Sequence, residues 1–215
     1  MQLGTDSPAR WRRRKEARPQ EILDAALTVF AEKGFAAARM DDIAARAGVT
    51  KGTIYLYFES KDAVFKALLA ESIGERVAAS GALIENFEGP TSELLANVLR
   101  LLGAFVAHSD RVVLPKIVIA EIGKFPELAR FYREEVIGRG LALWETILKR
   151  GVARGEFRAL PTEHMARICI APILLAAIWR TSFARFDSEP YDIEGLIETH
   201  IGVLLRGLAI DGAVG

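Results

Sequence analysis

Apolar side chains recur at three-to-four-residue spacing along most of the chain, and no stretch shows the strict alternation of a half-buried strand. Ile22, Leu23, Ala26, Leu27, Val29 and Phe30 predict a first helix that starts at Pro19, a favourable first helical position, and runs to Lys33 before Gly34 stops it. Residues 40 to 61, MDDIAARAGVTKGTIYLYFESK, read as two short helices joined by a tight turn. Ile43, Ala44, Ala47, Val49, Ile54 and Phe58 gather on one side, which leaves Thr50, Lys51, Thr53, Tyr55 and Tyr57 facing outward. Gly48 falls where the first of the pair must end in a left-handed conformation, and small Ala44 and Ala47 let the second cross closely over it. That is the pattern of a helix-turn-helix, whose outer face suits a phosphate backbone.

Beyond it, Ser60 is a plausible N-cap for a fourth helix through Val64, Phe65, Leu68, Leu69, Ile73 and Val77 to about Leu83. This helix is expected to run out of the small domain into the next and to link the two rigidly. Gly89-Pro90 then punctuates the chain, and Thr91 or Ser92 is expected to cap a helix that ends near His108-Ser109-Asp110. A short apolar helix follows over Val112 to Ile122. Pro126 opens a segment to residue 154 in which Gly138 and Gly140 leave one helix or two equally consistent. Gly151 and Gly155 read as a fraying helix end. Two last helices, about 162–184 and 191–208, carry apolar surface on more than one side, with 211–215 frayed beyond them. Pairing with their copies in a second subunit covers that surface, while burial in the chain's own core is the alternative. The fold class is all-α: a three-helix DNA-binding domain over 18–66, preceded by a flexible basic arm, 1–17, and followed by a larger helical bundle, 67–215.

Charge sharpens this division. The net charge is zero, yet residues 1 to 66 hold 12 of the 28 basic and 9 of the 28 acidic side chains, net +3. The excess lies in Arg10, Arg12, Arg13, Arg14, Lys15 and Arg18, an arm that either follows DNA phosphates or remains a solvated terminus. A single cysteine, Cys169, sits in an apolar run and is expected to be a buried core thiol in a reducing compartment. The start lacks the apolar stretch of a secretory signal, and the apolar run Ile168 to Trp179 is 12 residues between Arg167 and Arg180, short for a bilayer. A cytoplasmic protein with no membrane partner is expected.

The first 66 residues resemble the DNA-binding domain of the tetracycline-repressor (TetR) family of bacterial transcription regulators. The resemblance rests on Gly34-Phe35, Asp42-Ile43-Ala44, Ala47-Gly48-Val49, Lys51-Gly52-Thr53-Ile54-Tyr55, Tyr57-Phe58 and Ser60-Lys61, in family order and spacing. It implies a homodimer, paired through the two C-terminal helices, that binds a palindromic double-stranded operator and is released by a small-molecule effector. Thr50, Lys51, Gly52 and Thr53 then begin the recognition helix, with Lys51 and Thr53 at base edges and Gly52 admitting close backbone approach. Tyr55, Tyr57 and Lys61 match phosphate-contacting positions, Lys61 aided by the positive end of the fourth helix. Arg39 stands where the family usually has Thr or Ser, which exchanges a capping hydroxyl for a longer phosphate donor.

For the effector, Phe105, His108, Ile119, Phe125, Trp144, Ile147, Cys169 and Trp179 are the candidate lining, and their character favours an apolar or aromatic molecule. His108, His164 and His200 share no ligand spacing, so neither a metal nor a cofactor is expected. No GxSxG, HExxH or phosphate-cradling glycine loop is present, which argues against an enzyme. The two readings left beside an effector-controlled repressor are a dimeric regulator without an effector and a helical enzyme using the C-terminal cavity.

Overall fold

The computed structural model describes residues 8–121 and 123–210, and their side chains except those of 8–18, 73–79, 82, 83 and 85. Among the described residues there are helices and no strands. The chain divides into two compact units, Met1–Glu71 and Ser72–Gly215.

The first unit is built from α1 (Pro8–Ala37), α2 (Met40–Arg46), α3 (Lys51–Tyr55) and the first turns of α4 (Lys61–Asn86). The expected start at Pro19 is corrected, because α1 begins at Pro8 and passes through Pro19. Proline removes one backbone donor but already has a helical φ, so it weakens a helix without forbidding its continuation. The side chains of the basic arm lie outside the described residues. Gly34 does break α1, with φ 76° and ψ 163°, and one further turn follows it. The core is aromatic. Phe30, Phe35 and Phe65 are fully buried, with ring centroids 5.6 Å apart for Phe30–Phe35, 5.0 Å for Phe30–Phe65 and 5.0 Å for Phe35–Phe65. Ile22, Ile43, Ile54, Val64, Leu68 and Leu69 are fully buried in the same unit. At the start of α4, the Ser60 hydroxyl accepts the Ala63 N–H at 3.1 Å, as its sequence position led us to expect.

The second unit contains α5 (Thr91–His108), α6 (Leu114–Glu121), α7 (Pro126–Phe131), α8 (Arg139–Ala153), α9 (Thr162–Ser182) and α10 (Ile193–Leu208). Neither Thr91 nor Ser92 caps α5: Pro90 holds the cap position, and the Glu156 carboxylate accepts the Thr91 N–H from 65 residues away. The other end of α5 is served by Arg180, which donates to the carbonyls of Val106 and Ser109. The stretch after Pro126 is one continuous helical path, widened to a π-helix over Tyr132–Gly138, so neither glycine divides it.

Close glycine contacts set the packing. α5 and α10 meet where Gly103 faces Ile197, a side chain that would lie 2.6 Å from any Cβ there. Arg100 fastens the same pair with two bonds to Glu198, at 2.7 and 2.9 Å. Gly151 and Gly155 have separate tasks rather than marking a frayed end. The Phe157 ring occupies the space of a Gly151 side chain, and Gly155 turns the chain with φ 66°.

α9 packs against α5, α6, α8 and α10 through Ala166, Cys169, Ile173, Ala176 and Ala177. Its opposite face leaves Ile168, Leu175, Trp179 and Phe183 exposed at helical spacing. At 21 residues it is also the one described helix long and apolar enough to cross a membrane by length and composition, which the 12-residue apolar run alone understated. Cys169 is fully buried, and burial pushes its thiol up to about 12. Residues 211–215, expected to fray, lie outside the described residues.

Two unfolding measurements check this packing. Gly151→Ala forces the Phe157 ring to move and is expected to lower stability by roughly 1–3 kcal/mol, while Gly140→Ala, whose Cβ meets nothing within 4 Å, is neutral or gains up to about 1 kcal/mol. Cys169 is expected to resist a thiol reagent at neutral pH until denaturant unfolds the chain; immediate labelling would show that the thiol is accessible.

Candidate nucleic-acid interface

Five residues make a helix that cannot stand alone, since nucleation alone outweighs its few internal bonds. The surroundings of α3 supply what it lacks. α2 ends in Gly48 at φ 65°, where the Gly48 N–H donates to the Ala45 carbonyl at 3.2 Å and the Val49 N–H to Ala44 at 3.0 Å. These two bonds close the Schellman turn anticipated at Gly48 and fix the direction in which the chain enters α3. Thr50 then caps α3: its Oγ1 accepts the Thr53 N–H at 3.2 Å and lies 2.9 Å from the Thr53 hydroxyl. Ile54 drives the inner face into the aromatic core with no exposed area.

Three ion pairs brace the helices against one another. Lys33 meets Asp42 at 2.8 Å, Arg46 meets Glu32 at 2.6 Å, and Lys51 meets Asp41 at 3.0 Å. All lie at the surface, so they orient more than they stabilise. The Lys33 hydrogen bond holds the Asp42 carboxyl below the usual carboxylate range, helped by the Arg39 N–H, which donates to it at 3.1 Å. Its contribution is therefore present above the ordinary carboxylate pKa and is lost as pH falls through the depressed folded value. That bond is one arm of a capping box. A guanidinium accepts nothing, so Arg39 supplies no second arm and its side chain is left at the surface. Asp41, which raises the pKa of Lys51 by its hydrogen bond and charge, was not singled out from the sequence, because a pairing across ten residues and two helices leaves no periodic signature.

The outer surface of α3 is formed by Lys51, Gly52 and Tyr55, with Thr50 beside them and Thr53 and Tyr57 half-buried. Gly52 is informative. A Cβ at this position meets only the Thr50 hydroxyl, at an unstrained 3.9 Å, and the backbone φ is not left-handed. Nothing inside the protein requires glycine here. Lys61 departs from the expected position. Its ammonium does not lie at the open surface beside the recognition helix but donates to the carbonyls of Phe35 at 2.6 Å, Ala36 at 3.1 Å and Ala38 at 3.0 Å, 4.6 Å above the Phe35 ring.

The eight residues considered for an effector site are not brought together. Trp144, Ile147 and Cys169 belong to the core of the second unit and Phe105 packs against it. His108 and Ile119 are exposed, Phe125 is half-buried ahead of α7, and Trp179 lies at the outer face of α9 with its indole N–H on Asp187 at 2.7 Å. Helical register turns Ile119 and Trp179 away from the interior, which an apolar residue type alone does not reveal.

The fold and this surface define a helix-turn-helix DNA-binding protein with a separate helical regulatory unit. Comparison with known proteins agrees. Residues 22–68 match the family described as "Bacterial regulatory proteins, tetR family", and residues 88–188 match "Tetracyclin repressor-like, C-terminal domain". The fatty acid metabolism regulator protein of Bacillus subtilis is 26% identical over 196 residues, covering 90% of this chain and 98% of its own. The repressor KstR2 of Rhodococcus jostii is 29% identical over 197 residues, covering 91% and 93%. In fold, the chain is similar to the crystal structure of FadR from Bacillus subtilis in complex with stearoyl-CoA, with TM-score 0.74, 24% identity and coverage of 88% of this chain and 98% of that one. The chain belongs to the TetR family and is a DNA-binding transcriptional regulator.

Substitution at Gly52 separates folding from recognition. Gly52→Ala is expected to leave thermal stability unchanged or raise it by up to about 1 kcal/mol, and yet to weaken DNA binding measured by fluorescence anisotropy. Thr50→Ala is expected to cost about 1 kcal/mol of stability through the lost cap.

Proposed function

We propose that the chain is a cytoplasmic homodimeric repressor that places one α3 in each half of a palindromic operator and is released by an effector with a long apolar portion. The observation that carries the DNA contact is Gly52: an exposed glycine at the start of α3 without an internal reason, flanked by Lys51, Thr53 and Tyr55. Close approach of a duplex supplies the reason. Lys51 and Thr53 then reach base edges from the helix N-terminus, and Tyr55 and Tyr57 meet phosphates beside them. Arg39, exposed at the start of α2, extends the phosphate contacts. The exchange is affordable for Lys51, since its exposed pair with Asp41 is worth little in water.

Pairing of subunits is supported by the uncovered apolar stripe of α9, together with Val203 on α10, which is 57% exposed. A second copy covers this stripe and sets the separation of two half-sites, which a single short helix cannot do. The effector class is supported by the relatives. One is a fatty acid metabolism regulator, the solved FadR holds stearoyl-CoA, and another relative is a repressor. The interior around Phe105, Trp144, Ile147 and Cys169 is apolar in keeping with such a molecule. Release follows if the effector binds better to the dimer shape whose heads do not fit the operator. These relatives are regulators rather than enzymes, which supports a regulatory, not catalytic, use of the second unit.

Gel shifts with duplex DNA from beside its own gene are expected to show a specific complex whose affinity falls steeply with salt, with a slope of about −0.9 per phosphate neutralised. Absence of any specific complex would count against the operator reading. Stearoyl-CoA is expected to raise the melting temperature and dissociate the complex, with stabilisation of about 2.7 kcal/mol at a hundred times its Kd. DNA binding without any response to stearoyl-CoA or shorter acyl-CoA esters would leave the DNA reading intact and remove the effector class.

A further inference from the structure

We infer that Leu56 is a further specificity residue, whose side chain packs against the 5-methyl group of a thymine on the floor of the major groove. The inference rests on α3 being the DNA-reading element. Leu56 is 82% exposed, more than any other large apolar side chain among the described residues. It is the C-cap of α3 and keeps helical backbone angles, φ −71° and ψ −22°, and its N–H donates to the Thr53 carbonyl at 3.2 Å. The helical register of α3 therefore extends to it.

That register fixes where Leu56 faces. Successive helical residues turn by about 100° and rise by about 1.5 Å, so Leu56 lies one turn beyond Gly52, about 6 Å along the axis and about 40° around it. It stands about 160° from Ile54, which is fully buried. Gly52 and Leu56 thus form the face directed away from the core, with Lys51 and Tyr55 on one flank and Thr53 and Tyr57 on the other. When α3 lies in a groove, this face meets the floor and the flanks meet the walls. The flanks carry ammonium, hydroxyl and phenol groups, which suit phosphates and base-edge acceptors. A leucine has no donor or acceptor and so adds nothing to those contacts. What it fits is an apolar group, and the thymine methyl is the apolar group by which a base pair is recognised in the major groove. The open space at Gly52, where a Cβ meets only the Thr50 hydroxyl at 3.9 Å, lets the helix sit low enough for Leu56 to reach that methyl. Covering both from water is favourable in proportion to the apolar area removed.

A duplex selected from random sequence, with each thymine of one half-site replaced in turn by deoxyuridine, tests this for the full-length parent, Leu56→Ala and Leu56→Met by fluorescence anisotropy. Deoxyuridine pairs as thymine does and lacks only the methyl. The parent and Leu56→Met are expected to lose roughly four-fold in affinity at one particular thymine, the ratio that one buried methyl gives. Leu56→Ala is expected to bind the thymine duplex at least that much more weakly than the parent does, to stop distinguishing the two duplexes, and to keep the parent's salt slope, since no phosphate contact is lost. Its melting temperature stays that of the parent, as for other exposed positions. A parent indifferent to every thymine methyl would overturn the inference. Discrimination that persists in Leu56→Ala would overturn it by assigning the methyl to another side chain, and equal losses on both duplexes with the parent still discriminating elsewhere would assign Leu56 to the sugar-phosphate backbone. A lowered melting temperature of free Leu56→Ala would overturn it by placing the leucine against protein. Failure of the parent to prefer any duplex is a different outcome and would instead remove the reading of α3.

Discussion

A five-residue helix must be held from outside, and the first unit is arranged around that requirement. α3 takes its direction from the Schellman turn at Gly48, its first turn from the Thr50 hydroxyl and its depth from Ile54. Of these three supports, only the Thr50 hydroxyl comes from an exposed side chain, and none uses Lys51 or Tyr55. Lys51, Gly52 and Tyr55 are consequently left out of the folding problem, and their chemistry is available to whatever α3 meets. Gly52 costs helix stability and gains no packing, and close approach of an external surface to α3 gives it a use.

The same separation runs through the charges. Lys33, Lys51 and Arg46 are each paired with a carboxylate at the surface, where such pairs are cheap to exchange. Lys61 is different, bound to three carbonyls beside a fully buried phenylalanine. One set of cations can therefore turn to a polyanion without loosening the fold, while the other is part of the fold. Asp41, Asp42 and Glu32 keep the exposed cations oriented in the meantime, which limits indiscriminate attraction to nucleic acid.

Much of the first unit was legible in the sequence because its determinants are local. Gly48, Thr50 and Ser60 each act within three or four residues, and so a reading by spacing finds them. What escaped depends on distance. The Lys61 ammonium reaches back 26 residues to Phe35, and Glu156 caps a helix that begins 65 residues before it. Neither leaves a periodic trace. Pro19 misled because a proline-compatible helix start is equally a tolerable interior, and the π-helical stretch at Tyr132–Gly138 arises from packing rather than from any turn residue. In the second unit, apolar composition marked core and candidate lining alike. Only helical register separates Trp144 and Ile147, which are buried, from Ile119 and Trp179, which face out.

The second unit joins a packed core to an unsatisfied surface. Gly103 and Gly151 admit neighbouring side chains to contact distance, and the fully buried Cys169 is an inert thiol within that core. Outside it, the stripe of Ile168, Leu175, Trp179 and Phe183 is more apolar surface than one helix ordinarily leaves to water. A regulator in which two short helices must be spaced along a duplex has a use for such a surface. Guanine N7 protection on the selected duplex tests the presentation of α3 most directly, since N7 is read only in the major groove. Two protected major-groove patches, roughly one helical turn or a multiple apart and both lost in Gly52→Ala, are the expected result. A bound duplex with no guanine N7 protected, or an unchanged pattern in Gly52→Ala, would contradict the account.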